Sequence, residues 1–260
     1  QDFEASSPFI TGRWAKAAGE VRGRGPAMQC YPDVRSLNKA KEFVLQKAAI
    51  DLAKTAKEDG AKGLMVLPPM RYKASDAEVV AYFKAVANST SLPIMIYNNP
   101  VDYKLLVTLD MFQELLDACP NIQAVKESTR DTTNITRIKN RFGDRLAIMT
   151  GVDTLALESL VLGADGWVAG LVDAFPAETV AIYELVKANR IQEAIAIYRW
   201  FMPLLELDIH PKLVQYIKMA SVHTGIGNEY VRAPRLVLEG EERTRIQKII
   251  KDALAVRPTL

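Results

Sequence analysis

Two stretches of the chain close on residues that could act together on a carbonyl. Ile122-Gln123-Ala124-Val125-Lys126-Glu127-Ser128 is a short apolar run that ends in a lysine just before a polar turn. It follows Pro120 and leads into the helix-opening Ser128-Thr129-Arg130-Asp131-Thr132, so it reads as a buried strand feeding a helix, with Lys126 at the strand's carboxyl end. Lysine is rarely buried without a reason, and desolvation beside Val125 would favour the neutral, nucleophilic amine. A lone strand-end lysine more often snorkels to solvent; a second stretch reverses those odds here. Leu92-Pro93-Ile94-Met95-Ile96-Tyr97-Asn98-Asn99-Pro100 is another apolar strand, closing on a tyrosine and a turn. Between the two lies Thr108 to Ala118, with Leu109, Phe112, Leu115 and Leu116 at helical spacing. Tyr97 and Lys126 therefore fall at equivalent ends of successive strands in one βαβ unit, where a phenol can relay protons while the amine forms and breaks an imine.

The elements that must position this pair follow from periodicity. A helix runs from Ser36 or Asn38 to Glu58, with Phe43, Val44, Ala48, Leu52 and Ala56 at three- and four-residue steps and Gly60 as its stop. Strands are expected at Gly63 to Leu67, Pro93 to Tyr97, Ile122 to Lys126, Leu146 to Thr150 and Gly166 to Gly170. Helices fall between them at Ser75 to Ala87, Thr108 to Ala118, Asp131 to Arg141 and Thr154 to Leu162. Repeated βα units mean a parallel sheet, closed or doubly wound. A nucleotide-binding open sheet would want a glycine-rich turn after a strand, whereas Gly163-Ala164-Asp165-Gly166 precedes its strand, so the barrel is preferred. After Pro176 the pattern is helical throughout: Ala177 to Ala188, Ile191 to Leu207, Pro211 to Thr224 and Glu239 to Val256, with Pro203 expected to kink or split the second. The expected organisation is a barrel over residues 1–190, atypical in its front 1–62, and a helical extension over 191–260.

Composition bounds the function. The chain has 260 residues, 49% hydrophobic and 25% charged, with a net charge of +2, an ordinary globular balance. Lysines and arginines are spread along it, so no nucleic-acid groove is expected. No apolar run approaches a membrane span, and no signal-peptide pattern is read near the start. Cys30 and Cys119 make no disulfide framework, and a reduced, cytoplasmic setting is the expectation. The chain opens on Gln1 rather than Met, as one whose natural start lies further upstream would.

With these residues in place, the sequence resembles the dihydrodipicolinate synthase and N-acetylneuraminate lyase family of Schiff-base enzymes. The resemblance rests on Tyr97-Asn98-Asn99-Pro100, Val125-Lys126-Glu127-Ser128, Gly151-Val152-Asp153 and Gly163-Ala164-Asp165-Gly166-Trp167-Val168-Ala169-Gly170, and covers most of the chain from about Gly60 onward. It implies an α/β fold, a (β/α)8 TIM barrel with a C-terminal helical extension. It implies that Lys126 forms the imine and Tyr97 relays protons. It also implies a small 2-oxo acid or its cyclic imine as substrate, no cofactor beyond the covalent imine, and a homotetramer. Two departures stand out. The family's glycine-threonine-threonine-glycine-glutamate turn, which holds the substrate carboxylate, has no counterpart in residues 1–62, and only Ala27 to Tyr31 there reads as a strand. Where dihydrodipicolinate synthases place an arginine to face an acidic aldehyde, this chain has Asp102, which would repel such a substrate. Val101-Asp102-Tyr103, the Gly166 to Val172 tract and Tyr198-Arg199-Trp200-Phe201-Met202-Pro203-Leu204-Leu205 look most like the subgroup that deaminates 1-pyrroline-4-hydroxy-2-carboxylate in hydroxyproline breakdown. Synthase-like and 2-keto-3-deoxy sugar acid aldolase chemistry are the alternatives, and a non-catalytic oxo-acid-binding barrel is the alternative of another class.

The remaining candidates carry plainer readings beside the functional ones. Gly151, Asp153 and Val168-Ala169-Gly170 lie at or near strand ends, where backbone can approach a substrate closely; they read equally as tight turns. Glu127 should point to the opposite side of the strand from Lys126 and form a structural ion pair. His210 and His223 offer no metal-site spacing, and both read as surface or capping residues. The basic run Glu20 to Pro26 reads as a solvated loop. The aromatic run from Tyr198 to Met202 reads as core or subunit contact.

Overall fold

The computed structural model describes residues 45–70 and 72–260; the expected strand at Ala27 to Tyr31, the basic run, Cys30 and the start of the first helix lie outside the described residues. In chain order the main elements are α1 (Leu45–Glu58), β1 (Leu64–Val66), α2 (Asp76–Asn88), β2 (Ile94–Asn98), α3 (Pro100–Tyr103), α4 (Leu109–Ala118), β3 (Ile122–Glu127), α5 (Thr133–Phe142), β4 (Ala147–Thr150), α6 (Ala156–Val161) and β5 (Gly166–Trp167). The helices α7 (Pro176–Lys187), α8 (Ile191–Leu205), α9 (Leu213–His223) and α10 (Gly240–Ala255) follow. The strands form one sheet in the order β1-β2-β3-β4-β5, with β1, β2 and β3 parallel. A doubly wound sheet reverses its strand order so that helices cover both faces. An order that never reverses, joined by right-handed crossovers, keeps the helices on one side, as barrels do.

Local sequence explains why the elements start and stop where they do. Gly60 at φ +88° lets Ala61 N–H reach back to the Ala56 carbonyl, a glycine C-terminal cap that a side chain would strain. Ser75 caps α2, with its hydroxyl accepting from Glu78 N–H and the Glu78 carboxylate accepting from Ser75 N–H at 2.7 Å, a reciprocal capping box. Thr108 caps α4. Pro203 neither splits nor ends α8 at once: the helix runs on to Leu205 and then tightens into a 3-10 turn at Glu206–Ile209. Lying in the last turn, the proline removes a single backbone hydrogen bond there. β5 is shorter than expected, because after Trp167 the chain leaves the ladder for a 3-10 turn at Leu171–Asp173.

The chain divides into two compact units. One runs to Met149 and takes in Leu162–Gly166. Its core is built on Phe83, Ile94, Ile96, Phe112, Leu115, Ile122, Ile135 and Ile138, all fully buried, the apolar faces that the helical and strand spacing select. The other comprises Thr150–Val161 and Trp167–Leu260. There α8 packs against α6, α7 and α10. Here α7 and the tail helices share one core. Phe175 lies 5.3 Å from Phe201 and 6.0 Å from Trp200, edge to face, and the Trp200 indole donates to the Ala253 carbonyl at 2.8 Å. The aromatic run of α8 is core. Among the described residues no helix is long and apolar enough to cross a membrane.

Candidate active site

The sheet brings Tyr97 and Lys126 side by side through a detail of register. Ile94 pairs with Ile122, but Met95 pairs with Ala124, so Gln123 is an extra residue on β3. Such a bulge shifts everything beyond it by one. Tyr97 consequently faces Lys126; unbulged pairing would have set it against Val125. Lys126 is only 6% exposed, and its Nζ stands 4.2 Å from the centroid of the Tyr97 ring. The Tyr103 ring meets Tyr97 edge to face at 5.4 Å, pinning the phenol from its other side.

The opposite face of the same two strands is an anchor. Asn98 and Glu127 pair across it. The Asn98 side chain accepts from Val107 N–H at 3.0 Å and donates to the Val107 carbonyl at 3.2 Å and to Glu127 Oε2 at 3.3 Å, tying the approach to α4. Glu127 also accepts from Thr129 N–H at 2.8 Å and from Asn134 on α5 at 2.9 Å. Among the described residues its partners are neutral donors, so a hydrogen-bonded carboxylate stands there in place of the expected ion pair. Burial pushes its carboxyl above the usual range, and the hydrogen bonds from Thr129, Asn134 and Asn98 only partly offset this. Asn98 reaches the segment before α4 and Glu127 reaches α5, so theirs is the face toward α4 and α5; alternation turns Tyr97 and Lys126 away from these two helices.

Beyond the strand ends, Ser128 continues the ladder, donating its N–H to the Asn98 carbonyl at 2.9 Å. Its hydroxyl is buried with no hydrogen-bond partner among the described residues, two residues past Lys126. Asn99 caps α3: its Oδ1 accepts from Asp102 N–H at 3.2 Å, and its Nδ2 donates to Asp102 Oδ2 at 2.7 Å and to the Tyr97 hydroxyl at 3.2 Å. Sequence reasoning passed over Asn98, Asn99 and the Ser128 hydroxyl as site residues. The signal available was polar residues ending otherwise apolar strands.

The other sequence candidates belong to the second unit. Val168 N–H donates to the Thr150 carbonyl at 2.8 Å, which joins the Gly151–Asp153 turn to the Val168–Gly170 segment. Asp153 is fully buried, and both of its oxygens are engaged, one by the Trp167 indole and the other by Leu171 N–H, each at 2.8 Å. Its carboxylate therefore fixes the turn after β5. Gly151, Val168, Ala169 and Gly170 are partly exposed. Gly170 has no room for a side chain, since a Cβ there would lie 2.1 Å from Asp208 Oδ1. His210 stacks on Tyr216 at 4.7 Å, and its Nδ1 accepts from Lys212 N–H at 3.1 Å. Among the described residues no three of His, Cys, Asp or Glu gather as a metal site requires.

The match to known proteins is broad. The model of the Dihydrodipicolinate synthetase family matches residues 44–253. The 4-hydroxy-tetrahydrodipicolinate synthase of Chloroherpeton thalassium is 28% identical over 198 residues, 76% of this chain and 66% of that enzyme; the chain spans about two thirds of that relative's length. The crystal structure of dihydrodipicolinate synthase from Aquifex aeolicus is similar at a TM-score of 0.74 and 26% identity, covering 83% of this chain and 73% of that one. A prophage protein of the dihydrodipicolinic acid synthase family from E. coli K12, solved in complex with pyruvate, is similar in fold at a TM-score of 0.75 and 23% identity, covering 81% of this chain and 72% of that one. The fold they share with this chain is the (β/α)8 TIM barrel. Its phenol and amine at neighbouring strand ends, the family match along 44–253 and the shared fold together show that the chain belongs to the dihydrodipicolinate synthetase family.

Proposed function

We propose that the protein is a Schiff-base lyase acting on a small 2-oxo acid or its cyclic imine, with Lys126 as nucleophile and Tyr97 as proton relay. The observation that carries this reading is the buried Lys126 amine 4.2 Å from the Tyr97 ring centroid, at the carboxyl ends of adjacent parallel strands, where barrel enzymes do their chemistry. Lys126 adds to the carbon beside the substrate carboxylate. Loss of water from the adduct leaves an iminium, an electron sink that eases departure of a proton or leaving group from the next carbon. Tyr97 carries protons to and from these positions. The Ser128 hydroxyl, buried with no partner among the described residues, supplies a hydrogen bond to the bound substrate, since a buried hydroxyl left unpaired is costly. The chemistry calls for no bound cofactor beyond the amine itself.

Within this class the reading favoured is deamination of 1-pyrroline-4-hydroxy-2-carboxylate. Lys126 opens the ring by transimination, the hydroxyl-bearing carbon loses water, hydrolysis of the resulting terminal imine releases ammonia, and hydrolysis of the Lys126 imine releases the oxo acid and restores the amine; the net change takes up one water per ammonia. The curated relatives are named as synthases, which favours a synthase as second reading, but Asp102 stands where an acidic aldehyde would need a cation. Borohydride reduction in the presence of pyruvate, followed by peptide mass mapping, tests the class. A reduced adduct on Lys126 is expected; an adduct elsewhere, or turnover by Lys126→Ala, defeats it. Ammonia release from the hydroxypyrroline, set against condensation of pyruvate with an acidic aldehyde, separates the two readings. Binding of the oxo acid without adduct or turnover would leave a non-catalytic barrel.

A further inference from the structure

We infer that Asn99, held in one orientation by Asp102, is a positioning residue that sets the direction in which Tyr97 moves its proton; the inference rests on the Schiff-base reading above. The orientation of the Asn99 amide is dictated from outside. A backbone N–H can only donate, so the Asp102 N–H at 3.2 Å requires the amide oxygen on its side. A carboxylate can only accept, so Asp102 Oδ2 at 2.7 Å requires the amide nitrogen. One residue thus specifies both ends of the amide, and the second hydrogen on Nδ2 is left aimed at the Tyr97 hydroxyl at 3.2 Å.

The consequence is directional. Among the described residues this is the one hydrogen bond the Tyr97 hydroxyl makes, and it is one that it accepts. Its own proton is left to be donated toward the reacting groups beside Lys126. After that transfer the phenolate oxygen still faces an N–H donor, and a donor already in place stabilises the charge as it develops. Tyr103, on the same short helix as Asp102, holds the ring at 5.4 Å, so α3 orients the phenol at both its ring and its oxygen.

The test separates orientation from architecture. Asn99→Asp alone keeps the helix cap but sets two carboxylates against each other. The pair Asn99→Asp with Asp102→Asn restores a complementary contact and leaves an acceptor facing Tyr97, so the phenol donates its proton to residue 99. Three readouts are taken on the full chain: melting temperature, borohydride trapping of pyruvate on Lys126, and exchange of the pyruvate methyl protons in D2O followed by NMR. We expect the double variant to melt like the wild type and to trap pyruvate, but to exchange about 10- to 100-fold more slowly. Asn99→Ser, which also caps a helix but lacks the amide, should show the same split and serves if the double variant does not fold. Exchange at the wild-type rate in a folded variant overturns the inference alone. A wild-type protein that traps no pyruvate overturns the Schiff-base reading and this inference with it.

Discussion

At the level of single residues, burial without a partner and burial with several neutral partners make opposite predictions. The Ser128 hydroxyl is buried with no partner among the described residues, so Ser128→Ala removes a desolvated group with no hydrogen bond among them to lose. Stability to denaturant should not fall, while half-saturating pyruvate in the trapping assay should rise about tenfold, the loss of roughly 1.4 kcal/mol of substrate binding. Glu127 is the converse case. Three donors face its carboxylate, and the amide of Glu127→Gln would turn its own donors toward them, lowering stability by about 2 kcal/mol. The pH dependence has a definite sign. Burial raises the folded carboxyl above its unfolded value, so the stability Glu127 contributes is complete below the unfolded pKa and is lost as pH rises through the folded one. Denaturation of both proteins between about pH 4 and about pH 7 should show the wild-type advantage narrowing as pH rises. Neither environment was legible from Lys126-Glu127-Ser128 itself. Alternation separates the faces these residues use, but a sequence does not say which donors will meet them.

Among elements, the short connections at the strand ends are the most tightly specified. A Cβ on Gly170 would meet Asp208 Oδ1 at 2.1 Å and Ile217 Cδ1 at 2.8 Å, so the ends of both side chains would have to turn aside. Gly170→Ala should therefore lower unfolding free energy by about 1–3 kcal/mol, read by chemical denaturation, and pairing it with Asp208→Gly should recover part of that. The sequence marked Gly170 as a place of close backbone approach; it did not show that the group approaching is an aspartate of a later helical turn. Strand and helix order, by contrast, was legible from periodicity and caps, because Ser75, Thr108 and Gly60 act on their own neighbours.

For the molecule as a whole, the second unit depends on one charge held deep inside it. Glu178, in the first turn of α7, is fully buried; Arg257, beyond α10, hydrogen-bonds one of its oxygens, and the other has no partner among the described residues. Arg257→Met leaves that carboxylate uncompensated. Breaking a fully buried pair costs about 3–5 kcal/mol; with the Arg257 side chain 41% exposed, a loss nearer ~2 kcal/mol is expected, measured as a lower denaturation midpoint. Adding Glu178→Gln should restore most of it, since the charge itself is then gone. The extension expected from residue 191 packs on the helix before it. A run of helices looks separable by pattern, yet Phe175, Trp200 and Phe201 close one aromatic core across α7 and α8.

By itself the sequence determined the kinds and order of elements, the faces they bury, and Tyr97 and Lys126 as the candidate pair at neighbouring strand ends, because periodicity, caps and strand-end position act over a few residues. Only the tertiary structure decided that the pair meets. The extra residue Gln123 on β3 moves Lys126 into register with Tyr97, and register is a property of two strands at once. It likewise decided that Asp153 is occupied by Trp167 and Leu171, and that Asn99 is set by Asp102 to face the phenol. Hydrogen-bond partners and burial are fixed by whichever segments packing brings alongside, and that information resides in no single stretch of chain.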